Sequence, residues 1–144
     1  MTERTLFIVK PDAMAKHALG GILTMIESGD LTPIAGRITR LPAGDAERFY
    51  AVHRERPFFG DLVGFMSSGP VFVGVLEGDG AIARWRELMG PTDSTTAPKG
   101  TVRGEYGTDI EKNAVHGSDA PETARAEIAF FFPGLDLPGA TAVP

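Results

Sequence analysis

Runs of β-branched and aromatic residues alternate along this chain with apolar stripes at helical spacing, which limits it to folds that pack helices on a sheet. Thr5 to Val9 is one such run; it stops at Lys10-Pro11 and reads as a buried strand ending at a polar loop. Leu19, Ile22, Leu23 and Ile26 follow at helical spacing and are closed by Gly29. Leu31 to Arg40 reads as a second strand, weakened by Pro33 and Gly36 in a way that suits an edge or a bulge. Pro42-Ala-Gly-Asp45 starts a helix running towards His53, with Asp45 as its cap. Phe58 to Met66 is a short amphipathic helix with Gly69-Pro70 behind it, and Val71 to Leu76 is the most strand-like stretch. Ala81, Ile82, Trp85, Leu88 and Met89 form one helical stripe, stopped by Gly90-Pro91, with Arg86 at its edge and Arg84 well away from it. Pro121-Glu122 opens a last helix whose apolar side includes Ala124, Ile128 and Phe131.

This order predicts an α/β sandwich in which helices cover a sheet, but periodicity alone does not choose between a parallel and an antiparallel one. A fourth strand belongs near Ala114-Val115 or in Ala129 to Phe132. From Pro91 to Lys112 no period lasts, so a loop of about twenty residues is expected, a length that in a compact domain is usually functional. The whole chain, residues 1–144, fits one domain. Its Gly- and Pro-rich tail after Pro133 is expected to be poorly ordered or to lie over a neighbouring subunit.

Cysteine is absent, which removes disulfides and thiolate metal sites. No apolar run is long enough to span a membrane, and the start Met-Thr-Glu-Arg lacks a signal pattern, so a cytoplasmic enzyme or binding module is expected. The net charge of −5 argues against broad adhesion to nucleic acid or to a membrane surface, which need a basic face. A nucleotide needs only a local cluster of cations.

Asn113, the only asparagine, stands three residues before His116 in Asn113-Ala-Val-His116-Gly-Ser-Asp119, which leads into a helix start. An imidazole with its ordinary pKa of about 6.5 can attack phosphorus near neutral pH. His116 is therefore the candidate nucleophile. His17 reads as a surface residue; His53 follows Tyr50 by three residues, so the two could share a helix face. Ser118 and Asp119 precede Pro121 and Glu122 in a capping-box-like arrangement, Ser118 serving either as a cap or as a partner of phosphate on the histidine. Lys10 ends a buried strand, and Arg103 sits in the Gly-flanked Gly100-Thr-Val-Arg103-Gly104. Phe58 is either a core aromatic or the exposed member of the Phe58-Phe59 pair. No P-loop, Gly-x-Gly-x-x-Gly or protein-kinase motif is present.

Five segments, in order and from end to end, resemble the nucleoside diphosphate kinase family: Glu3 to Lys10-Pro-Asp12, Arg56-Pro-Phe58 to Leu62, Ser68-Gly-Pro-Val71, Gly100 to Gly104, and Asn113 to Asp119. The resemblance implies a ferredoxin-like βαββαβ sandwich with a four-stranded antiparallel sheet. It implies transfer of the terminal phosphate of ATP or another nucleoside triphosphate to His116 and on to a nucleoside diphosphate, maintaining nucleotide pools. Glu127 would orient the ring, and Tyr50, Ser118 and Lys10 complete the catalytic set, with His53 and Tyr50 near the phosphates. Lys10, Arg86 and Arg103 would hold phosphate, with a hydroxyl from Thr92. Phe58 would stack on the base, Leu62 beside it and Ile110 on the other side, while Asn113 and Lys10 contact the sugar. Mg2+ would arrive with the nucleotide, without protein ligands. The family forms homo-oligomers, and the short end of this chain favours a tetramer over a hexamer.

The chain departs from the family pattern at Asp93, Ser94, Pro98, Lys99, Glu111, Lys112 and Ala120, all in the long loop or beside His116. These changes bear on how the loop packs more than on the chemistry. Two other functions compete: a catalytically silent nucleotide-sensing or partner-binding module of the same fold, and a single-stranded nucleic-acid binder using Phe58, which the acidic charge disfavours.

Overall fold

The computed structural model describes residues 2–134; the expected tail behaviour falls, beyond those residues, outside the structure. Four strands, β1 (Thr2–Val9), β2 (Thr32–Arg40), β3 (Pro70–Asp79) and β4 (Val115–Gly117), form one sheet in the order β2-β3-β1-β4. Every neighbouring pair is antiparallel. Among the described residues seven helices connect and cover them: α1 (Pro11–Ala15), α2 (Leu19–Ser28), α3 (Ala43–Phe49), α4 (Phe59–Met66), α5 (Ala81–Met89), α6 (Val102–Tyr106) and α7 (Pro121–Phe131). The ferredoxin-like expectation is met, with β1 separating β3 from β4 and β3 separating β1 from β2.

The continuous apolar run of β1 has a direct cause. Phe7 and Val9 face a core with Ile22 and Ile26 of α2 and Trp85 and Met89 of α5, whereas Leu6 and Ile8 face a second core with Ala46, Tyr50, Met66 and Phe131. A strand covered on both faces has no solvent side to carry polar residues. Full burial of each such side chain stabilises the fold by about 1.5–3 kcal/mol. β2 is an edge strand, and its register shifts between Pro33 and Ala35, so the Pro-containing strand is both edge and bulged.

Several local expectations need correction. Lys10-Pro11 does not open a loop: Pro11 starts α1, whose first turn tolerates a missing N–H. The helix from Pro42 ends at Phe49 and not at His53; Ala51–His53 is a separate 3₁₀ turn. Asp45 is not the cap, because Pro42 takes that position and Asp45 pairs with Arg48. Gly29 closes α2 at φ −92°, and it is Asp30 that turns left-handed at φ 62°. The long segment from Pro91 to Lys112 is partly ordered into a 3₁₀ turn, Ser94–Thr96, capped by Asp93 Oδ1 accepting from Thr95 N at 3.0 Å, and into α6. The fourth strand is Val115–Gly117; Ala129 to Phe132 continues α7 into its C-cap. Among the described residues no helix is long and apolar enough to cross a membrane.

Candidate active site

β4 lies against β1 with His116 directly opposite Ile8. Directly opposed residues share a sheet face, so His116 stands on the side of Leu6 and Ile8, under α3 and α7. Its neighbours Val115 and Gly117 face the other core. There Trp85 lies so close that a Cβ on Gly117 would meet its ring at 2.6 Å, and Trp85 Nε1 donates to His116 O at 3.3 Å. The indole thus holds the backbone of the histidine from behind.

On the open side Glu127 of α7 brings Oε1 to 3.0 Å from His116 Nε2. Ser118 Oγ donates to the same oxygen at 2.7 Å while accepting from Leu6 N at 3.3 Å. Phe49 meets the imidazole edge-on at 5.4 Å and Tyr50 at 6.2 Å between centroids. Nδ1 makes no hydrogen bond among the described residues. Tyr50 is buried, its hydroxyl has no partner among them, and burial followed by the charge of Glu127 pushes its pKa up. Ser118 is not a helix cap: Ala120 takes that place and its N–H donates to Thr123 Oγ1 at 3.0 Å.

The cations gather behind Asn113. Lys10 is only 8% exposed, and its Nζ donates to Asn113 Oδ1 at 2.8 Å. Burial, then the charge of Arg103, lowers its pKa to about 8. Arg103 donates from Nε to Asn113 O at 3.2 Å, and from its two terminal nitrogens to Gly90 O and Val115 O, both at 2.9 Å. A guanidinium has five N–H groups, so two have no partner among the described residues and can meet a ligand. Burial and the neighbouring Arg86 lower the Arg103 pKa to about 10, leaving it charged at neutral pH. Neither Arg86 nor Arg103 forms an ion pair among the described residues. Gly104 serves packing against Pro98, whose carbonyl oxygen would lie 2.0 Å from an added Cβ.

Other expected site residues lie around this centre. Asn113 Nδ2 donates to the carbonyls of Thr92 at 3.1 Å and Ile110 at 3.2 Å, leaving the Thr92 hydroxyl exposed. Phe58 and Ile110 are large apolar side chains with 46% and 63% of their surface exposed. Phe58 packs on His53 at 5.5 Å, which in turn stacks near Tyr50 at 6.4 Å, so Tyr50 and His53 do face the same way. Leu62 is half-buried against the second core. A cavity of about 850 Å³ lined by Asp12, Arg40, Asp61, Phe65, Glu111 and Lys112 among others does not include His116.

The sequence model of the nucleoside diphosphate kinase family matches residues 3–137. The chain belongs to that family. A nucleoside diphosphate kinase of Bordetella petrii is 58% identical over 135 residues, 94% of this chain and 96% of the relative. One from Polynucleobacter asymbioticus is 57% identical over the same shares of the two chains. The solved nucleoside diphosphate kinase of Aquifex aeolicus is 52% identical with a TM-score of 0.91, covering 96% of this chain and all of that one. A halophilic nucleoside diphosphate kinase from Halobacterium salinarum in complex with CDP is 41% identical, again with a TM-score of 0.91, over 96% of this chain and 92% of that one. Members of such a family are phosphotransferases, and this chain is an enzyme of that kind.

Three residues close to the centre do not emerge from sequence reasoning as site residues. Phe49 and Trp85 carry no signal beyond apolar helical spacing, which any core residue shares. Asp12 had a visible cue, its place directly after Lys10-Pro11 in a segment rich in family resemblance.

Proposed function

We propose that this chain transfers the terminal phosphate of a nucleoside triphosphate to His116 Nδ1, releases the diphosphate, and passes the phosphate to a second nucleoside diphosphate at the same site. The observation that carries this is the 3.0 Å contact between His116 Nε2 and Glu127 Oε1. With the proton on Nε2 donated to the carboxylate, the lone pair resides on Nδ1, the nitrogen without a hydrogen-bond partner among the described residues. As the N–P bond forms and the P–O bond to the leaving diphosphate breaks, positive charge grows on the ring, and Glu127 offsets it. Phe49 and Tyr50 keep the ring from swinging, which is the positioning that phosphoryl transfer chiefly needs.

Lys10, Arg86 and the two free N–H groups of Arg103 supply positive charge for the transferring phosphate, and the Thr92 hydroxyl a further donor. Mg2+ comes as part of the nucleotide, held by phosphate oxygens and water; Glu127, the carboxylate nearest the histidine, is engaged with His116 and Ser118. Asn113 with Lys10 suits the sugar hydroxyls. The exposed faces of Phe58 and Ile110 suit a base of any kind, because stacking is tolerant of sequence; the CDP complex of the Halobacterium salinarum relative fits such a site. We also expect a cytoplasmic homo-oligomer, a tetramer before a hexamer. The outer edge of β2, which pairs with no strand among the described residues, and Ile38 on it, 61% exposed, favour assembly. A hexamer mass in light scattering would overturn the tetramer.

Incubation with γ-labelled ATP and separation on a gel run without acid should leave label on the wild-type chain and none on His116→Ala. Chase with any nucleoside diphosphate should then release it as the triphosphate. Full turnover by His116→Ala would remove the proposal.

A further inference from the structure

Between the sugar-side residue Asn113 and the nucleophile His116, the backbone makes an unusual turn. Ala114 has φ 72°, a left-handed value that a residue with a Cβ adopts only under restraint, and Val115 N donates to Asn113 O at 2.8 Å across it. A hydrogen bond spanning two residues with positive φ at the centre is a γ-turn of the rare, strained kind. Two groups from the end of β1 and the start of α1 hold the central residue: Lys10 N donates to Ala114 O at 2.8 Å, and Asp12 Oδ2 accepts from Ala114 N at 3.1 Å. Arg103 holds the flanking carbonyls of Asn113 and Val115.

We infer that Asp12 is a positioning residue for phosphoryl transfer, its carboxylate clamping the Ala114 turn so that Asn113 and His116 are presented to one nucleotide in fixed relation. A second observation supports it. Asp12 Oδ1 is buried without a hydrogen-bond partner among the described residues, and burial raises the pKa of the group. Against that burial the Ala114 amide is the foremost contact stabilising the carboxylate, ahead of Lys10 and the amides of Asp12 and Ala13. Moreover the clamp spans segments about a hundred residues apart, so no local helix or strand bond can replace it. The sugar-side bond from Lys10 to Asn113 leaves from the same three-residue segment, and Asp12 thereby couples both halves of the site. This rests on reading His116 as the phosphoryl acceptor.

The test is rapid-quench labelling of the full chain by γ-labelled ATP, with hydrogen exchange at the Ala114 amide measured on the same proteins. Asp12→Ala should slow phosphoenzyme formation by about 10- to 100-fold, the factor of one lost charge-assisted hydrogen bond, and should speed exchange at Ala114. Asp12→Asn keeps an acceptor oxygen and should recover most of both. In the double variant Asp12→Ala with Ala114→Gly, glycine adopts φ 72° without restraint, so part of the labelling rate should return. A merely structural aspartate would not be relieved by that glycine. Wild-type rates in Asp12→Ala, an Asp12→Asn as slow as Asp12→Ala, or no relief from Ala114→Gly would each overturn the inference. Absence of label on the wild type would sink the function instead, while unchanged exchange at Ala114 in Asp12→Ala would sink the clamp alone. Should Asp12→Ala prove too unstable to assay, Asp12→Ser, which also removes the carboxylate, takes its place with the same expected and overturning results.

Discussion

Ile8 and His116 stand directly opposite each other across the β1–β4 pair. That single register puts the imidazole on the face covered by α7, where Glu127 reaches it, while Trp85 supports the strand from the other face. A slip of one residue would turn His116 into the core around α5 and take the imidazole away from Glu127.

Glu127→Gln keeps the shape of the side chain and removes its charge. Loss of a charge-assisted bond is worth about 1.5–3 kcal/mol, so phosphoenzyme formation is expected to slow by about 10- to 100-fold. Ser118→Ala should cost less, about 3- to 10-fold, because Ser118 acts on the ring only through its bond to the Glu127 carboxylate. Because both donors share Glu127 Oε1, the double variant should fall short of the product of the two effects. Strictly multiplicative rates in rapid-quench experiments would show that Ser118 acts apart from Glu127.

Lys10 gives the site a pH limit. Its pKa is lowered to about 8, first by burial and then by Arg103, so the free enzyme loses this ammonium as pH rises through about 8. The plot of kcat/KM for nucleotide, which reports the free enzyme, should fall above that point. The kcat profile should fall later, because bound phosphate favours the protonated amine. Lys10→Met should have low kcat/KM without that limb. Stability moves the opposite way: between about 8 and 10.5 the unfolded chain binds the proton that the folded chain has lost, so this residue makes folding more favourable as pH climbs through that window. Denaturant titrations of wild type and Lys10→Met at pH 7.5 and 9.5 would check the sign.

Arg103→Lys tests whether the guanidinium is scaffold as well as the proposed phosphate holder. Lysine cannot span the carbonyls of Asn113, Gly90 and Val115 together, so unpaired buried oxygens should lower stability by roughly 2–4 kcal/mol. Urea unfolding should show a lower midpoint with an unchanged slope. A raised KM with wild-type stability would mean that the backbone bonds contribute little.

Gly117→Ala addresses the support behind the histidine. A Cβ there would lie 2.6 Å from Trp85 Cδ1 and Nε1 and 2.8 Å from the Met89 methyl. Overpacking of this kind costs about 1–3 kcal/mol, which for a chain of this size lowers Tm by roughly 3–10 °C. The shift should shrink when Trp85 is also replaced by Phe; an equal loss in both backgrounds would point to strain elsewhere in β4.

The strands β1 and β3 were legible because both are covered on two faces and therefore read as unbroken apolar runs. β2 was legible as an edge or bulge because Pro33 cannot donate within a ladder. The five-residue helices α1 and α6 escaped notice, since so short a helix has too few turns to display a period. The ambiguity over β4 had a similar cause: three residues of strand carry less pattern than the equally apolar Ala129 to Phe132, which packs as helix. Within the site, His116 and the buried end of β1 at Lys10 stood out by residue type and position. Asp45, by contrast, looked like a cap on composition and lies inside the first turn instead.

By itself the sequence determined the three long strands, the longer helices and the family resemblance, because period and residue type are local properties written along the chain. Only the tertiary structure decided the antiparallel strand order, the meeting of Glu127 with His116, the use of three Arg103 donors on backbone carbonyls, and the hold of Asp12 on Ala114. Each of these joins elements that periodicity treats separately, and their geometry is set by how two cores pack on opposite faces of one sheet.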